Sequence, residues 1–319
     1  MALWLSEADV RAVLSPVELI PAMETALAEF SAGRVEQPVR SVIELRSCTF
    51  FGLMPAYDRA RAVLGVKLVS VIPENAARLL PTHRAVISLF DPETGELLAV
   101  LDGRYITEVR TAAASAVSVK LLARPNAEVL AVLGSGVQAR SHVEALRSVW
   151  NFREIRAWSP TPEHLGLFAA ECGLRAAASA EEAVGGADVV VLATNMVTPA
   201  IDSAWVSEGA HLIAIGACRY SQREIDPELV ARARLFVDSR AAALEESGDV
   251  VQGIREGRFT AGHVRAELGE VVSGCAPGRT GEREITLFKS LGIAIEDVAA
   301  AALAYRRARE TGRGLEVRL

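Results

Sequence analysis

The chain has 319 residues, of which 50% are hydrophobic and 23% charged, so it can bury a large core and intrinsic disorder is excluded. This length favours two domains. The formal net charge of -6 argues against nucleic-acid binding, and no apolar stretch is long enough to span a membrane. The cysteines Cys48, Cys172, Cys218 and Cys275 form no Cys-x-x-Cys pair and no signal-peptide pattern begins the chain, which predicts reduced thiols in a cytoplasmic protein.

The N-terminal part of the chain combines helical patterns with antiparallel-strand patterns. Residues 6–34 are predicted to be helical, with Ser6 capping one helix and Ser15-Pro16 beginning a second. Apolar periodicity and turn residues predict the remaining elements, which are strands at residues 41–53, 62–72, 86–90 and 97–101 and a closely packed, Ala-rich helix at residues 107–122.

After Pro125 the pattern changes to an alternation of short apolar strands and helical segments. This alternation predicts parallel strands joined by crossover helices. The predicted strands occupy residues 129–133, 155–158, 189–193, 211–215 and 235–237, and a final helix is predicted at residues 297–309.

One of these strand-to-helix turns carries a dinucleotide-binding pattern. An apolar run after Glu128 leads into Gly134-x-Gly136-x-x-Ala139 and then into a helical pattern. The first glycine allows the tight turn, the second lets a pyrophosphate approach the backbone, and the helix N-terminus attracts the phosphates. The predicted cofactor-binding residues of this region are Gly134, Ser135, Gly136, Val137 and Gln138, joined by Thr194 at the end of another strand.

The second strand of this domain bears on the choice between NAD and NADP. In NAD-binding proteins an acidic residue at its end commonly binds the ribose. Here the strand runs into Ser159-Pro-Thr161-Pro, without a carboxylate or an arginine. Ser159, Thr161 and His164 could hold a 2'-phosphate or a 2'-hydroxyl, or the segment could simply cap the next helix. This slightly favours NADP and leaves NAD open.

Three cations stand out as candidates for binding a carboxylate. Lys67 lies inside an apolar strand pattern, where a cation must reach solvent, find a partner or serve a site. Burial would lower its pKa, which suits proton transfer. Arg40 and Arg110 would each be interpreted as surface residues on their own, but arginine grips carboxylates in a bidentate manner. The histidines are scattered and no metal-ligand spacing occurs in the sequence.

These features together resemble the ornithine cyclodeaminase/mu-crystallin family over nearly the whole chain. The combination is specific, although no single motif is. The matching stretches are Leu64-Gly-Val-Lys67, Leu101-Asp-Gly-Arg-Tyr-Ile-Thr107, Arg110-Thr-Ala-Ala, Leu133-Gly-Ser-Gly-Val-Gln-Ala139, Glu224-Ile-Asp226, Glu246-Ser-Gly-Asp249, Glu267-Leu-Gly-Glu270 and Thr286-Leu-Phe-Lys-Ser-Leu-Gly292.

The resemblance implies an α/β fold in which a Rossmann-type parallel-sheet domain is inserted into a second α+β domain. The second domain, residues 1–115 plus 295–319, would bind substrate and form a homodimer, and residues 116–294 would bind the dinucleotide. The family's carboxylate-binding residues match Arg40, Lys67 and Arg110, of which Lys67 and Arg110 are the expected catalytic residues. Positions that touch the nicotinamide cofactor in related proteins match Thr82, His83, Thr111 and Ser290.

One position divides the family. Cyclodeaminases and archaeal-type alanine dehydrogenases are similar in carrying an aspartate shortly after the fifth strand, where it handles the substrate amine. This chain has Cys218 there, and related ketimine reductases carry a small residue. Cysteine replaces such a carboxylate poorly. Cys218 is therefore expected to line the substrate site without performing that proton transfer.

The resemblance thus implies an NAD(P)H-dependent reductase of 2-imino acids, with a small, amino-acid-like substrate that bears a carboxylate. Cyclic ketimines of the pyrroline-2-carboxylate and piperideine-2-carboxylate type are the expected substrates. Ornithine cyclodeamination and amino-acid dehydrogenation remain alternatives on the same fold, and both conflict with Cys218. A third alternative is a non-enzymatic, crystallin-like ligand-binding protein, against which the presence of Arg40, Lys67 and Arg110 argues.

Overall fold

The structure is a computed structural model that describes residues 1–46 and 49–318, so Cys48 lies outside the described residues. The chain divides into two compact units. The first unit comprises Met1–Arg110 and Ile293–Leu319, and the second, Thr111–Gly292, lies between these two segments of the sequence. No helix in the described part of the chain is long and apolar enough to cross a bilayer.

The strands and helices follow the chain in three blocks. The first block contains β1 (Ala2–Leu5), α1 (Glu7–Val13), α2 (Pro16–Ser31), β2 (Val35–Glu36), β3 (Ser41–Arg46), β4 (Thr49–Asp58), β5 (Val63–Val71), β6 (His83–Phe90), β7 (Leu97–Asp102) and α3 (Gly103–Leu122). The second contains β8 (Val129–Leu133), α4 (Val137–Val149), β9 (Glu154–Trp158), α5 (Pro162–Cys172), β10 (Arg175–Ala176), α6 (Ala180–Val184), β11 (Val189–Leu192), β12 (His211–Ala214), α7 (Pro227–Arg232), β13 (Arg234–Val237), α8 (Arg240–Glu246), α9 (Gly248–Arg255), β14 (Val264–Glu267), α10 (Leu268–Val272) and β15 (Thr286–Lys289). The chain ends with α11 (Ala294–Thr311) and β16 (Leu315–Val317).

The first unit is built on a mostly antiparallel sheet. Its strands lie in the order β16-β1-β7-β6-β5-β4-β2, with β3 paired to β4. Only the β1–β7 pair is parallel among the described strands of this sheet. Helix α11 packs on α2 and across β4, β5 and β6. Along β5 every second residue from Gly65 to Val69 is buried, which places Lys67 on a buried face of the sheet.

Two sequence predictions about this unit need correction. Residues 41–53 were predicted as one strand, but they belong to the antiparallel partners β3 and β4, in which Ser41 faces Leu53. The apolar pattern continues through both arms, so no composition change marks the reversal. The final helix was predicted to begin at Asp297 but begins at Ala294, after an N-cap residue, Ile293, that offers no polar side chain.

The second unit contains a parallel sheet in the order β10-β9-β8-β11-β12-β15-β13-β14. The strand order reverses between β8 and β11, which is the topological switch point where such folds bind nucleotides. All residues of β8, β11, β12 and β15 are buried. The predicted Rossmann-type domain inserted into an α+β domain is confirmed, although the sequence analysis did not identify β15.

Candidate active site

Lys67 lies in a buried ion pair. Its side chain projects from β5 and the residue is only 2% exposed. Nζ donates a hydrogen bond of 2.6 Å to Oδ2 of Asp297 and a longer one, 3.4 Å, to the Thr107 hydroxyl. The apolar strand pattern around Lys67 is therefore explained by a partner that lies in α11.

The guanidinium of Arg110, on α3, is held by the same helix. Its Nε donates to Oδ1 of Asp297 at 2.9 Å, and one terminal nitrogen donates to Oε2 of Glu296 at 2.7 Å. Both carboxylates are fully buried in the first turn of α11, and Arg110 is 4% exposed. Such a buried charge requires partners of this kind. The surface interpretation of Arg110 is thus wrong, and Asp297 bridges both predicted catalytic cations.

Glu296 and Asp297 are site residues that the sequence analysis missed. They were counted only as the start of a helix, where acidic residues are common because of the helix dipole. A usable signal did exist, since an adjacent Glu-Asp pair opens a helix that is otherwise rich in alanine and apolar residues. Two cations in apolar surroundings also call for carboxylates elsewhere in the chain.

The environment sets the charge of each group around Lys67. Burial lowers the pKa of Lys67 to about 8, and the nearby cations Arg110 and Arg40 act in the same direction while Asp297 opposes them. Burial opposes the ionisation of Asp297, but the charges of Arg110 and Lys67 outweigh it and hold the pKa of Asp297 below its usual range. Burial, reinforced by the charge of Lys67, lowers the pKa of His83 to about 4. His83 is therefore neutral at pH 7.

The cluster carries an excess of positive charge. Arg40, which precedes β3, is half-buried and close enough to Lys67 to influence its ionisation. Three cations (Arg40, Lys67 and Arg110) against two carboxylates (Glu296 and Asp297) leave one net positive charge at neutral pH. A site with that balance, built around arginine, suits a small molecule that carries one carboxylate.

The positions predicted to touch the nicotinamide lie on several different elements. Thr82 is exposed, and its carbonyl accepts a hydrogen bond from the amide of Ile72. His83 begins β6 and, through the charge of Lys67, belongs to the cluster described above. Thr111 is buried next to Arg110 on α3. The Ser290 hydroxyl is buried and donates to Asp238, so its orientation is fixed by that carboxylate.

The glycine-rich turn of the second unit has the shape that a dinucleotide pyrophosphate requires. Gly134 has a φ of +119°, and a Cβ there would collide with the carbonyl of Ala193. A Cβ on Gly136 would meet nothing within 4 Å, so the space beside this residue is open. Gly136 also precedes α4 without any side-chain cap, which leaves the first amides of the helix available to an anion. The side-chain oxygen of Gln138 is buried without a hydrogen-bond partner among the described residues.

The end of β9 presents hydroxyl groups. Ser135 donates to the hydroxyl of Ser159 at 2.9 Å, and Thr161 is the N-cap residue of α5 without a side-chain capping bond. Arg140 lies nearby on α4, where it donates to the carbonyl of Ser135 and pairs with Glu171. Hydroxyls with a neighbouring guanidinium can serve a ribose hydroxyl or a ribose phosphate.

A second buried ion cluster lies under the loop that contains Cys218. Lys289 Nζ lies 3.4 Å from Glu224 and 3.1 Å from Asp249, and all three residues are at most 1% exposed. Glu224 in turn accepts hydrogen bonds from the amide of Gly216 and from the Thr194 hydroxyl. The sequence analysis placed Thr194 in the cleft but missed this cluster, which holds the hydroxyl of Thr194. Cys218 is half-buried, and its thiol donates to the carbonyl of Ile215.

Comparison with known proteins agrees with this arrangement. The sequence model of the Ornithine cyclodeaminase/mu-crystallin family matches residues 2–312. The ketimine reductase mu-crystallin of Mus musculus is 45% identical over 293 residues, which cover 90% of this chain and 91% of that protein. The Thermococcus litoralis Delta(1)-pyrroline-2-carboxylate reductase, solved with NADH and L-proline, superposes with a TM-score of 0.96 at 38% identity and covers 99% of this chain and 100% of its own. An archaeal alanine dehydrogenase dimer with bound NAD has a TM-score of 0.95 at 34% identity, with 99% of each chain covered. This chain is therefore a member of the ornithine cyclodeaminase/mu-crystallin family, as its motifs indicated.

Proposed function

We propose that this protein is an NAD(P)H-dependent reductase of 2-imino acids, with cyclic ketimine carboxylates of the pyrroline and piperideine type as substrates. The observation that carries the proposal is the buried lysine, Lys67, set between a carboxylate and two arginines. Two of the similar proteins support it, since one is named a ketimine reductase and the other a pyrroline-2-carboxylate reductase.

In this proposal the two arginines bind the substrate carboxylate and the lysine acts on the imine. Arg110 is held rigidly by Glu296 and Asp297, so its outer face can be offered to the substrate without a loss of side-chain entropy at binding. Arg40, with no comparable burial, closes on the carboxylate from the other side. Matched guanidinium–carboxylate contacts of this kind fix the orientation of the imine bond.

Lys67 supplies the proton that imine reduction needs. With a pKa of about 8, most of its amine is charged at neutral pH, yet it gives up a proton more readily than an ordinary lysine. Protonation of the imine nitrogen makes the adjacent carbon electrophilic, and a positioned acid contributes about a hundredfold or more to the rate. Lys67 recovers its proton from water after the amine product leaves.

The nicotinamide cofactor would be held by the glycine-rich turn from Gly134 to Gln138 and by the hydroxyls of Ser159 and Thr161. When bound, the reduced cofactor supplies the hydride to the imine carbon. NADP is slightly favoured over NAD because β9 ends without a carboxylate and Arg140 lies close to Ser135. Thr82, His83, Thr111, Thr194 and Ser290 complete the proposed cofactor contacts.

We also propose that the first unit forms a homodimer and that the protein is cytoplasmic. On β3, Val42, Ile43 and Leu45 are each more than half exposed, and an apolar exposed strand of this kind is normally covered by a partner. The archaeal alanine dehydrogenase dimer supports this choice. Cys172, Cys218 and Cys275 form no disulfide with each other, which suits a reducing compartment.

Cys218 disfavours the cyclodeaminase alternative. A thiol that donates to the carbonyl of Ile215 is a poor substitute for a carboxylate facing an ammonium group. The test is an absorbance assay of cofactor oxidation, in which NADPH and NADH are offered separately with pyrroline-2-carboxylate and with piperideine-2-carboxylate. L-Ornithine with NAD is assayed in parallel for ammonia. Rapid oxidation with a ketimine supports the reductase, whereas ammonia from ornithine without ketimine turnover replaces it with cyclodeamination.

A further inference from the structure

Asp297 uses both of its carboxylate oxygens to connect the two cations of the site. Oδ2 accepts the hydrogen bond from Lys67 and Oδ1 accepts the one from Arg110. The carboxylate is fully buried, so water does not screen these contacts. The adjacent Glu296 is equally buried but contacts Arg110, not Lys67, among the salt bridges of the described residues.

We propose that Asp297 is a positioning residue that keeps Lys67 in its ammonium form, and that loss of this ion pair determines the upper pH limit of imine reduction. The kinetic half of this inference rests on the proposed function. The electrostatic half does not, because it concerns the charge of Lys67 in the protein itself.

The surroundings of Lys67 leave Asp297 as the group that favours its charge. The cross-strand neighbours on both sides, Met54 on β4 and Ile87 on β6, are apolar and buried. From α3 the Thr107 hydroxyl faces Lys67 and is neutral.

The remaining charged groups act against the ammonium. The cations Arg110 on α3 and Arg40 before β3 disfavour it, and His83 on β6 is neutral at pH 7. Burial also disfavours a charged lysine. If Asp297 lost its charge, burial and both arginines would together drive Lys67 towards the neutral amine, which cannot protonate an imine.

The composition of the chain offers a direct measurement. Lys67, Lys120 and Lys289 are its three lysines, so side-chain labelling with nitrogen-15 gives only three ammonium signals. Lys120 is exposed, and the neighbouring carboxylates Asp249 and Glu224 raise the pKa of Lys289 far above its usual range despite its burial. Lys67→Met identifies the third signal by its disappearance. The titration midpoint of Lys67 is then followed in the full-length protein by NMR.

Two neighbouring, isosteric substitutions form the matched pair. Asp297→Asn should lower the Lys67 midpoint by about one pH unit or more, because a direct charge partner is removed. Glu296→Gln removes an equally buried charge from Arg110 and should leave the midpoint within a few tenths of a unit of the wild type. Arg110→Gln should raise the midpoint, and this opposite shift keeps the test decisive if Asp297→Asn does not fold.

The kinetic readout is the high-pH limb of kcat/KM with a ketimine, which reports groups of the free enzyme. Asp297→Asn should move this limb to lower pH in parallel with the NMR midpoint, with a roughly tenfold loss of activity just above the new midpoint. Glu296→Gln should raise KM through Arg110 while the limb stays in place.

Either of two results would overturn the inference, namely an unchanged Lys67 midpoint in Asp297→Asn or an equal downward shift in Glu296→Gln. Failure of the proposed function is separately recognisable. If the wild type reduces no ketimine but the NMR midpoints shift as stated, the charge coupling stands and the reductase assignment falls. If ketimine turnover is normal and the midpoints do not move, the reductase assignment stands and the role of Asp297 falls.

Discussion

The ammonium of Lys67 lies 2.6 Å from the carboxylate of Asp297, although 230 residues separate them in the sequence. The same carboxylate fixes Arg110. One helix turn thus positions the proposed proton donor and one carboxylate-binding arginine together, which explains how a charged pair can occupy a sheet face that is otherwise apolar.

Replacing Lys67 by methionine should abolish ketimine reduction, with a loss of about a thousandfold or more, because no other acid contacts the imine in the proposed mechanism. Cofactor affinity should persist, since Lys67 belongs to the first unit and the glycine-rich turn to the second. Turnover is measured by absorbance, and cofactor binding by fluorescence of the reduced nicotinamide. Lys120→Met, at an exposed lysine, is the control. Normal turnover in Lys67→Met would eliminate its catalytic role.

Arg40→Gln should raise KM for the ketimine and lower kcat/KM by about ten- to a hundredfold, the worth of a charge-assisted contact to a carboxylate. The fold should tolerate the change because Arg40 is only half-buried. Steady-state kinetics and a thermal melt of the same preparation test both statements. An unaltered KM would remove Arg40 from the substrate site.

Two alanine substitutions in the glycine-rich turn should behave differently. Gly136→Ala has room for its methyl group and should leave the melting temperature unchanged while it weakens cofactor binding. Gly134→Ala forces a side chain onto a backbone with φ of +119° and against the Ala193 carbonyl, so it should destabilise the protein itself. Calorimetric binding and thermal unfolding separate the two. If Gly136→Ala bound the cofactor as tightly as the wild type, the proposed position of the pyrophosphate would be wrong.

Acid should destabilise the second unit through two buried histidines. Burial lowers the pKa of His142 to about 4 and that of His211 to about 3. Below an unfolded-state pKa near 6.5 the unfolded chain binds protons that the folded chain refuses, so the free energy of unfolding should decline as the pH falls from about 6.5 towards 4. The expected loss is a few kcal/mol, at roughly 1.4 kcal/mol per pKa unit for each histidine.

Urea unfolding at a series of pH values measures this decline. His142→Gln should flatten it, because glutamine does not titrate. His164→Gln is the matched control: His164 is exposed, so the slope should remain that of the wild type. A free energy of unfolding that is constant over this pH range would show that the buried histidines do not govern acid stability.

The parallel sheet and the glycine-rich turn were predictable because their signals are local. Runs such as Val189–Leu192 are apolar and short, and Gly134 and Gly136 stand at the fixed spacing that the turn demands. Lys67 was also identifiable, because a lysine in an apolar strand needs an explanation.

The partners of these residues were not predictable from local pattern. Glu296 and Asp297 fit an ordinary helix start, and nothing near them in the sequence points to Lys67. Strand β15 was missed for a related reason, since Lys289 interrupts its apolar pattern and is neutralised by Glu224 and Asp249 from elsewhere in the chain. Ion pairs between distant segments are a property of the fold, and only the structure reveals them.

The most direct test of the central claim compares pyrroline-2-carboxylate with 1-pyrroline, the same cyclic imine without its carboxylate. With NADPH or NADH as cofactor, the account predicts reduction of the carboxylate-bearing imine with kcat/KM at least about a hundredfold above that of 1-pyrroline, because Arg40 and Arg110 orient only the former. Equal rates for the two imines, or no cofactor oxidation with either, would contradict it.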